Sequence, residues 1–255
     1  LILTTALALG ALNAEAKIMK KTVTYEQGGV VLEGYLAWDD AVTGKRPAVL
    51  VVHQWMGLTD NERMRADMLA GMGYVALAAD VYGQGVRPKT VKEAQQEAGK
   101  FYADRALLRA RLAAGLAELK SQPMADTARV AAIGYCFGGG GVLELARSGA
   151  DLAGVVSFHG TLDTTMPAPK GGVHAKVLVC HGAVDPYVKP EAVRGFVDEM
   201  EAAGVDYQLI MYAHAVHAFT QKEAGNDPSK GAAYNEAADR RSWQAMQDFF
   251  AEIFH

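Results

Sequence analysis

The stretch that most restricts the fold of this 255-residue chain is Gly134-Tyr135-Cys136-Phe137-Gly138. It follows the apolar run 129–133 and leads into a second one, Gly139 to Ala146, so it reads as strand, sharp turn and helix with a cysteine at the corner. Such a corner holds its central residue in a strained backbone conformation, and glycines two places before and after let the chain pass without clash. The corner side chain is pushed out at the mouth of the sheet. The helix that starts there turns free N–H groups and its positive dipole end toward it. A thiol in that field gives up its proton more readily, and the thiolate is the nucleophile. The same short pattern also fits an ordinary glycine-rich turn, so the reading depends on finding partners for Cys136.

The rest of the chain alternates strands and helices. Segments 22–26 and 30–37 flank Gly28 and Gly29 and read as an antiparallel hairpin. Pro47 to His53 is a continuous apolar run, the mark of a strand covered on both faces. A helix capped near Thr59 or Asp60 follows, with Met64, Met68, Leu69 and Met72 expected on its buried face. Strand 74–80 leads to a long helical region from about Thr90 to Leu119, striped by Leu108, Leu112, Leu116 and Leu119. After the Cys136 corner come strands 153–159 and 176–181, separated by a loop from Thr161 to Gly172. A helix with Val193, Phe196, Val197 and Met200, a last strand 207–213 and a final helix with Trp243, Met246, Phe250 and Ile253 complete the order. The expected fold is α/β: a mostly parallel sheet of about eight strands, helices on both faces, the hairpin at one edge, one domain over 17–255.

Half of the residues are hydrophobic and the formal net charge is −4, without a basic block that would suggest nucleic acid. Residues 1–12 are apolar and precede Ala14-Glu15-Ala16, which matches a signal-peptide h-region and cleavage site lacking its basic start. The run is too short for a membrane span. Export to a periplasmic or external location is therefore expected, with 1–16 outside the fold and no membrane contact afterwards. Two cysteines, Cys136 and Cys180, do not make a disulfide framework, and Cys180 reads as a core residue.

Chemistry in open parallel sheets collects beyond the C-terminal strand ends. Cys136, Asp185 and His217 each follow a predicted strand there, in the order nucleophile, acid, histidine that α/β-hydrolases share. His217 would exchange a proton with Cys136 and the leaving group, while Asp185 would fix its tautomer. Backbone N–H groups of Phe137 and of Trp55, after an early strand, would receive the oxyanion. Trp55, Tyr82, Phe137 and Phe219 could shape an apolar pocket or belong to the core. Asp185, which precedes a proline, also fits a plain turn, and His214 rivals His217. His53, His159, His181, His214 and His217 complete no recognised metal spacing, so neither a metal nor another cofactor is expected.

The segments 134–139, 53–57, 80–83, 157–160, 181–185 and 216–220 together resemble the dienelactone hydrolase family over nearly the whole chain after residue 16. The resemblance implies cofactor-free hydrolysis of a small ester or lactone through a thioester at Cys136. This chain has Gln54 where the family usually has glutamate, and Gln221 where it carries a substrate-binding arginine. Both count as pocket candidates. Glutamine can hydrogen-bond Cys136 but cannot take its proton. The expectation is an ester hydrolase with small-molecule partners only, monomeric by default; the alternative is a small-molecule binding protein of weakened chemistry.

Overall fold

Gly28 and Gly29 take φ values of 59° and 76°, which a side chain would resist, and they fold β1 (Ile18–Gln27) back onto β2 (Val30–Asp39) in a hairpin. The computed structural model describes residues 17–255, and the signal-like segment 1–16 lies outside the described residues. Six further strands complete one sheet: β3 (Arg46–Val52), β4 (Val75–Ala79), β5 (Ala125–Tyr135), β6 (Gly154–Phe158), β7 (Lys176–Gly182) and β8 (Tyr207–Tyr212). Their order is β1-β2-β4-β3-β5-β6-β7-β8. The pairs β1–β2 and β2–β4 are antiparallel, and all pairs from β4 to β8 are parallel. The expected architecture is the one observed.

Both faces of the sheet are covered, which explains the unbroken apolar strands. Ala48, Leu50 and Val52 of β3 face one core with α3 (Arg105–Ser121), α4 (Phe137–Arg147) and α5 (Pro190–Ala203). Val49 and Val51 face the other, with α1 (Asp60–Gly71) and α6 (Glu236–Ile253). Burying such side chains contributes roughly 1.5–3 kcal/mol each.

Two expectations are corrected. The α1 methionines do not form its buried face: Met64, Met68 and Met72 are 45%, 37% and 36% exposed, and the helix buries Leu69, as expected, together with Glu62, Arg65, Ala66 and Ala70. Charged residues occupy this face because each is satisfied there. Arg65 bonds the Thr220 carbonyl at 3.0 Å and Asp239 at 2.7 Å, and Glu62 closes a capping box with Thr59. The long helical region is also two helices, α2 (Val91–Ala103) and α3. Asp104 leaves helical geometry between them, and its carboxylate accepts the Leu107 N–H at 2.9 Å, capping α3.

The loop after β6 is fastened from below. Buried Glu144 pairs with Arg109 at 2.8 Å and Arg147 at 3.2 Å, and Arg147 also bonds Glu199 and the Leu162 carbonyl. No helix among the described residues is long and apolar enough to cross a membrane.

Candidate active site

The sheet reverses its winding between β3 and β5, so the crevice beyond their C-terminal ends is where a ligand would lie. Cys136 stands at this point with φ 54° and ψ −113°, a conformation costing about 1–3 kcal/mol for a residue with a Cβ. The flanking glycines make it possible. A Cβ on Gly134 would meet the Gly138 carbonyl oxygen at 2.0 Å, and one on Gly138 would meet the Val52 carbonyl oxygen at 2.3 Å. Close approach at Gly138 therefore sets the first turn of α4 against the end of β3. Cys136 precedes that turn without capping it, leaving its sulfur free for other partners.

The sulfur's partner is His217. Its Nε2 lies 3.0 Å from Cys136 Sγ, and its Nδ1 lies 2.8 Å from Asp185 Oδ2. Asp185 follows β7 with its side chain wholly buried, and its second oxygen, Oδ1, accepts the Tyr187 N–H at 2.8 Å. His217 follows β8 and is held through its backbone: its N–H donates to the Gly231 carbonyl at 3.2 Å, and its carbonyl accepts from Ala233 at 3.0 Å. Burial works against charge on this imidazole. The electrostatic pull of Cys136, the hydrogen bonds to Asp185 and Cys136 and the Asp185 charge outweigh it, and the pKa is pushed up to about 10. His214 is exposed and has no part in the cluster.

A further histidine, considered in the sequence as a metal-ligand candidate and within the resembling segment 157–160, supports His217. His159 is fully buried with φ 41°, its ring 5.3 Å from that of His217 in an edge-to-face arrangement. Its Nε2 bonds Thr220 Oγ1 at 2.8 Å, pinning the segment just after His217. Burial, together with the nearby His217 charge, drives its pKa well below the usual value, so it stays neutral. His53 is neutral too: Nδ1 donates to the Gln54 carbonyl at 2.6 Å and Nε2 accepts the Val81 N–H at 3.2 Å, joining the ends of β3 and β4. No three metal-ligating side chains gather among the described residues.

The loop after β3 differs from expectation at Gln54. Its amide does not reach Cys136; Oε1 turns back to accept the Met56 N–H at 2.9 Å. The Gly57 N–H bonds the Gln54 carbonyl at 3.1 Å, and the Gln54 N–H makes a long 3.5 Å approach to Glu62. The Trp55 N–H alone in this run has no acceptor among the described residues. Its carbonyl is fixed by the Tyr82 hydroxyl at 2.9 Å. Tyr82 packs against Phe101 and Phe137, and Phe219 is fully buried against His159 and Tyr212. Both rings therefore brace the site from within the core. Gln221 is half-buried, its amide nitrogen enclosed without an acceptor. Both cysteines are free thiols; Cys180 lies in the core, where burial pushes it up to about 12.

A sheet wound in this order, with its strained corner, acid and histidine after β5, β7 and β8, is that of an α/β-hydrolase. The family can be stated more narrowly. Residues 32–254 match the model of the dienelactone hydrolase family, and the chain belongs to that family. It is similar to the solved structure of a protein named m3DLH (40% identity, 93% of this chain and 99% of that one, TM-score 0.89). It is also similar to a dienelactone hydrolase-like promiscuous phosphotriesterase from metagenomic libraries (39% identity, 93% and 99%, TM-score 0.88). A dienelactone hydrolase from Anabaena variabilis, at 22% identity over 93% and 99% of the two chains with TM-score 0.70, shares the fold.

Proposed function

We propose that the protein hydrolyses a small ester or lactone, with Cys136 as nucleophile, His217 as proton carrier and Asp185 as the group that orients it. The observation that carries this reading is the position of His217 between Asp185 Oδ2 and Cys136 Sγ, at 2.8 and 3.0 Å. With its pKa raised, His217 starts as imidazolium, its Nε2 facing the Cys136 sulfur, which acts as the nucleophile. The sulfur attacks the carbonyl carbon, and the oxyanion is received by the N–H groups of Phe137, at the start of α4, and Trp55. Collapse expels the alkoxide, which takes the proton of His217 and leaves a thioester. Neutral His217 then removes a proton from water; the hydroxide attacks the thioester, the thiolate leaves, and the acid product departs.

Gln54 does not argue against this sequence, because its amide serves Met56 and the proton partner of sulfur is His217. Gln221 carries no charge where a substrate-binding arginine would, which favours neutral substrates. The test compares short-chain nitrophenyl esters and a dienelactone on wild type and Cys136→Ala. Turnover of the neutral esters that disappears in the variant is expected. Turnover that survives removes Cys136 from the mechanism, and saturable binding with no turnover in either protein returns the binding-protein reading. Export is part of the proposal, supported by the pattern at 1–16, and N-terminal sequencing of the secreted or periplasmic protein tests it.

A further inference from the structure

Behind Asp185, away from the sulfur, lies a cavity of about 330 Å³. It is bounded by His181 at the end of β7, Ala183 to Asp185, Val188, Pro190 and Val193 at the start of α5, and Met211 of β8. Neither Cys136 nor His217 borders it, and the Asp185 carboxylate is committed to His217 and the Tyr187 N–H. A molecule held there would not be the reacting ester.

The lining dictates what fits. It is apolar except at His181 and Asp185, and four of its members, Ala183, Val184, Pro190 and Met211, are exposed to water, Val184 at 56% and Met211 at 50%. His181 itself is 2% exposed; its Nδ1 is enclosed, whereas its Nε2 is not and makes no hydrogen bond among the described residues. Burial lowers its pKa, so the ring is neutral and offers one donor and one acceptor. A hydroxyl in the cavity can answer Nε2, not the enclosed Nδ1. An anion is disfavoured by neighbouring Asp185, and the first turn of α5 gives it little help: Pro190 has no N–H, and those of Ala192 and Val193 bond the Lys189 carbonyl. The volume stands at the small end of ligand pockets, about 300–1,000 Å³, enough for one short chain or ring.

We propose that this cavity is a second binding site, for a small neutral alcohol whose hydroxyl bonds the His181 imidazole and whose carbon chain lies on Val188, Val193 and Met211. Its occupation reaches the triad through the 183–188 segment, which carries both Asp185 and Tyr187; the Tyr187 ring rests 5.4 Å from that of His217. The binding stands independently of the hydrolase reading, whereas the coupling rests on it.

The probe is 1-hexanol, titrated into the full protein while the His181 imidazole resonances are followed by NMR, in parallel with ester turnover. Val193→Phe fills the cavity, and Met211→Glu places a charge on its outer wall at a half-exposed position that does not threaten folding. Saturable shifts of His181 are expected, weakened roughly tenfold by either substitution and unchanged in Cys136→Ala. At saturation kcat should change while KM holds. No saturation up to the solubility limit, or binding indifferent to both substitutions, overturns the site. Inhibition competitive with the ester overturns the coupling, because it places the alcohol in the catalytic crevice. If the protein turns over no ester, the NMR titration still decides the binding.

Discussion

Replacing Asp185 with asparagine tests the triad most sharply, because the structure dictates how the new amide must turn. Asp185 uses both carboxylate oxygens as acceptors, Oδ1 from the Tyr187 N–H and Oδ2 from His217 Nδ1, each at 2.8 Å. An amide has only one oxygen. The Tyr187 N–H is a fixed donor, so the amide oxygen must face it and the NH₂ must face His217. A donor now opposes Nδ1, which must become an acceptor and send the ring proton to Nε2, the nitrogen facing Cys136. The neutral imidazole is then the wrong tautomer to take a proton from water during thioester hydrolysis. The equivalent exchange in a serine triad lowers kcat about ten-thousand-fold, equal to about 5 kcal/mol of transition-state stabilisation. A similar loss is expected in steady-state hydrolysis of a nitrophenyl ester, the substitution leaving the fold in place. The pH profile adds a second readout. Against the cost of burial, Cys136 and Asp185 together hold the His217 pKa at about 10, Asp185 through its hydrogen bond and its charge, so wild type keeps its imidazolium until pH approaches that value. Without the carboxylate the alkaline limit must move down. A variant within tenfold of wild type, with its alkaline limit unmoved, would refute the assigned role of Asp185.

Two further substitutions probe what surrounds the site. Thr220→Val removes the hydroxyl that bonds His159 Nε2 and leaves a buried imidazole nitrogen unpaired; a loss of about 1–3 kcal/mol in urea unfolding and a lower kcat are expected, with Thr220→Ser restoring both. In α1, Leu69→Ala should cost about 2–5 kcal/mol, whereas Met68→Gln should stay within about 0.5 kcal/mol, and thermal melts of the two distinguish the observed buried face from the methionine one.

The parts legible in the sequence are those that local rules fix. Gly134 and Gly138 announce the corner because two backbone approaches there leave no room for a Cβ, and strand ends are recognisable from apolar runs alone. Three reactive residues falling at three such ends needed no contact information. The face of α1 was not legible by hydrophobicity, because Glu62 and Arg65 become tolerable inside only through acceptors and donors supplied by the Thr59 cap, Thr220 and Asp239. His159 is similar: the bond that gives it a role reaches Thr220, sixty-one residues away.

Gln54 shows how far residue identity misleads when geometry is hidden. Read by type, an amide in place of a carboxylate near the nucleophile means a missing proton acceptor. In the folded loop the same amide accepts the Met56 N–H, next to the Trp55 N–H, which has no acceptor among the described residues and which the proposed mechanism assigns to the oxyanion. Its side chain thus helps to shape the receiving loop, and the sulfur is served by His217 at 3.0 Å. A glutamate in this place would supply the same acceptor with a full negative charge, close to where a second negative charge must develop on the substrate. In the proposed mechanism an amide at this position suits a sulfur permanently paired with His217, and it would weaken catalysis only where the sulfur waits for a carboxylate to release it.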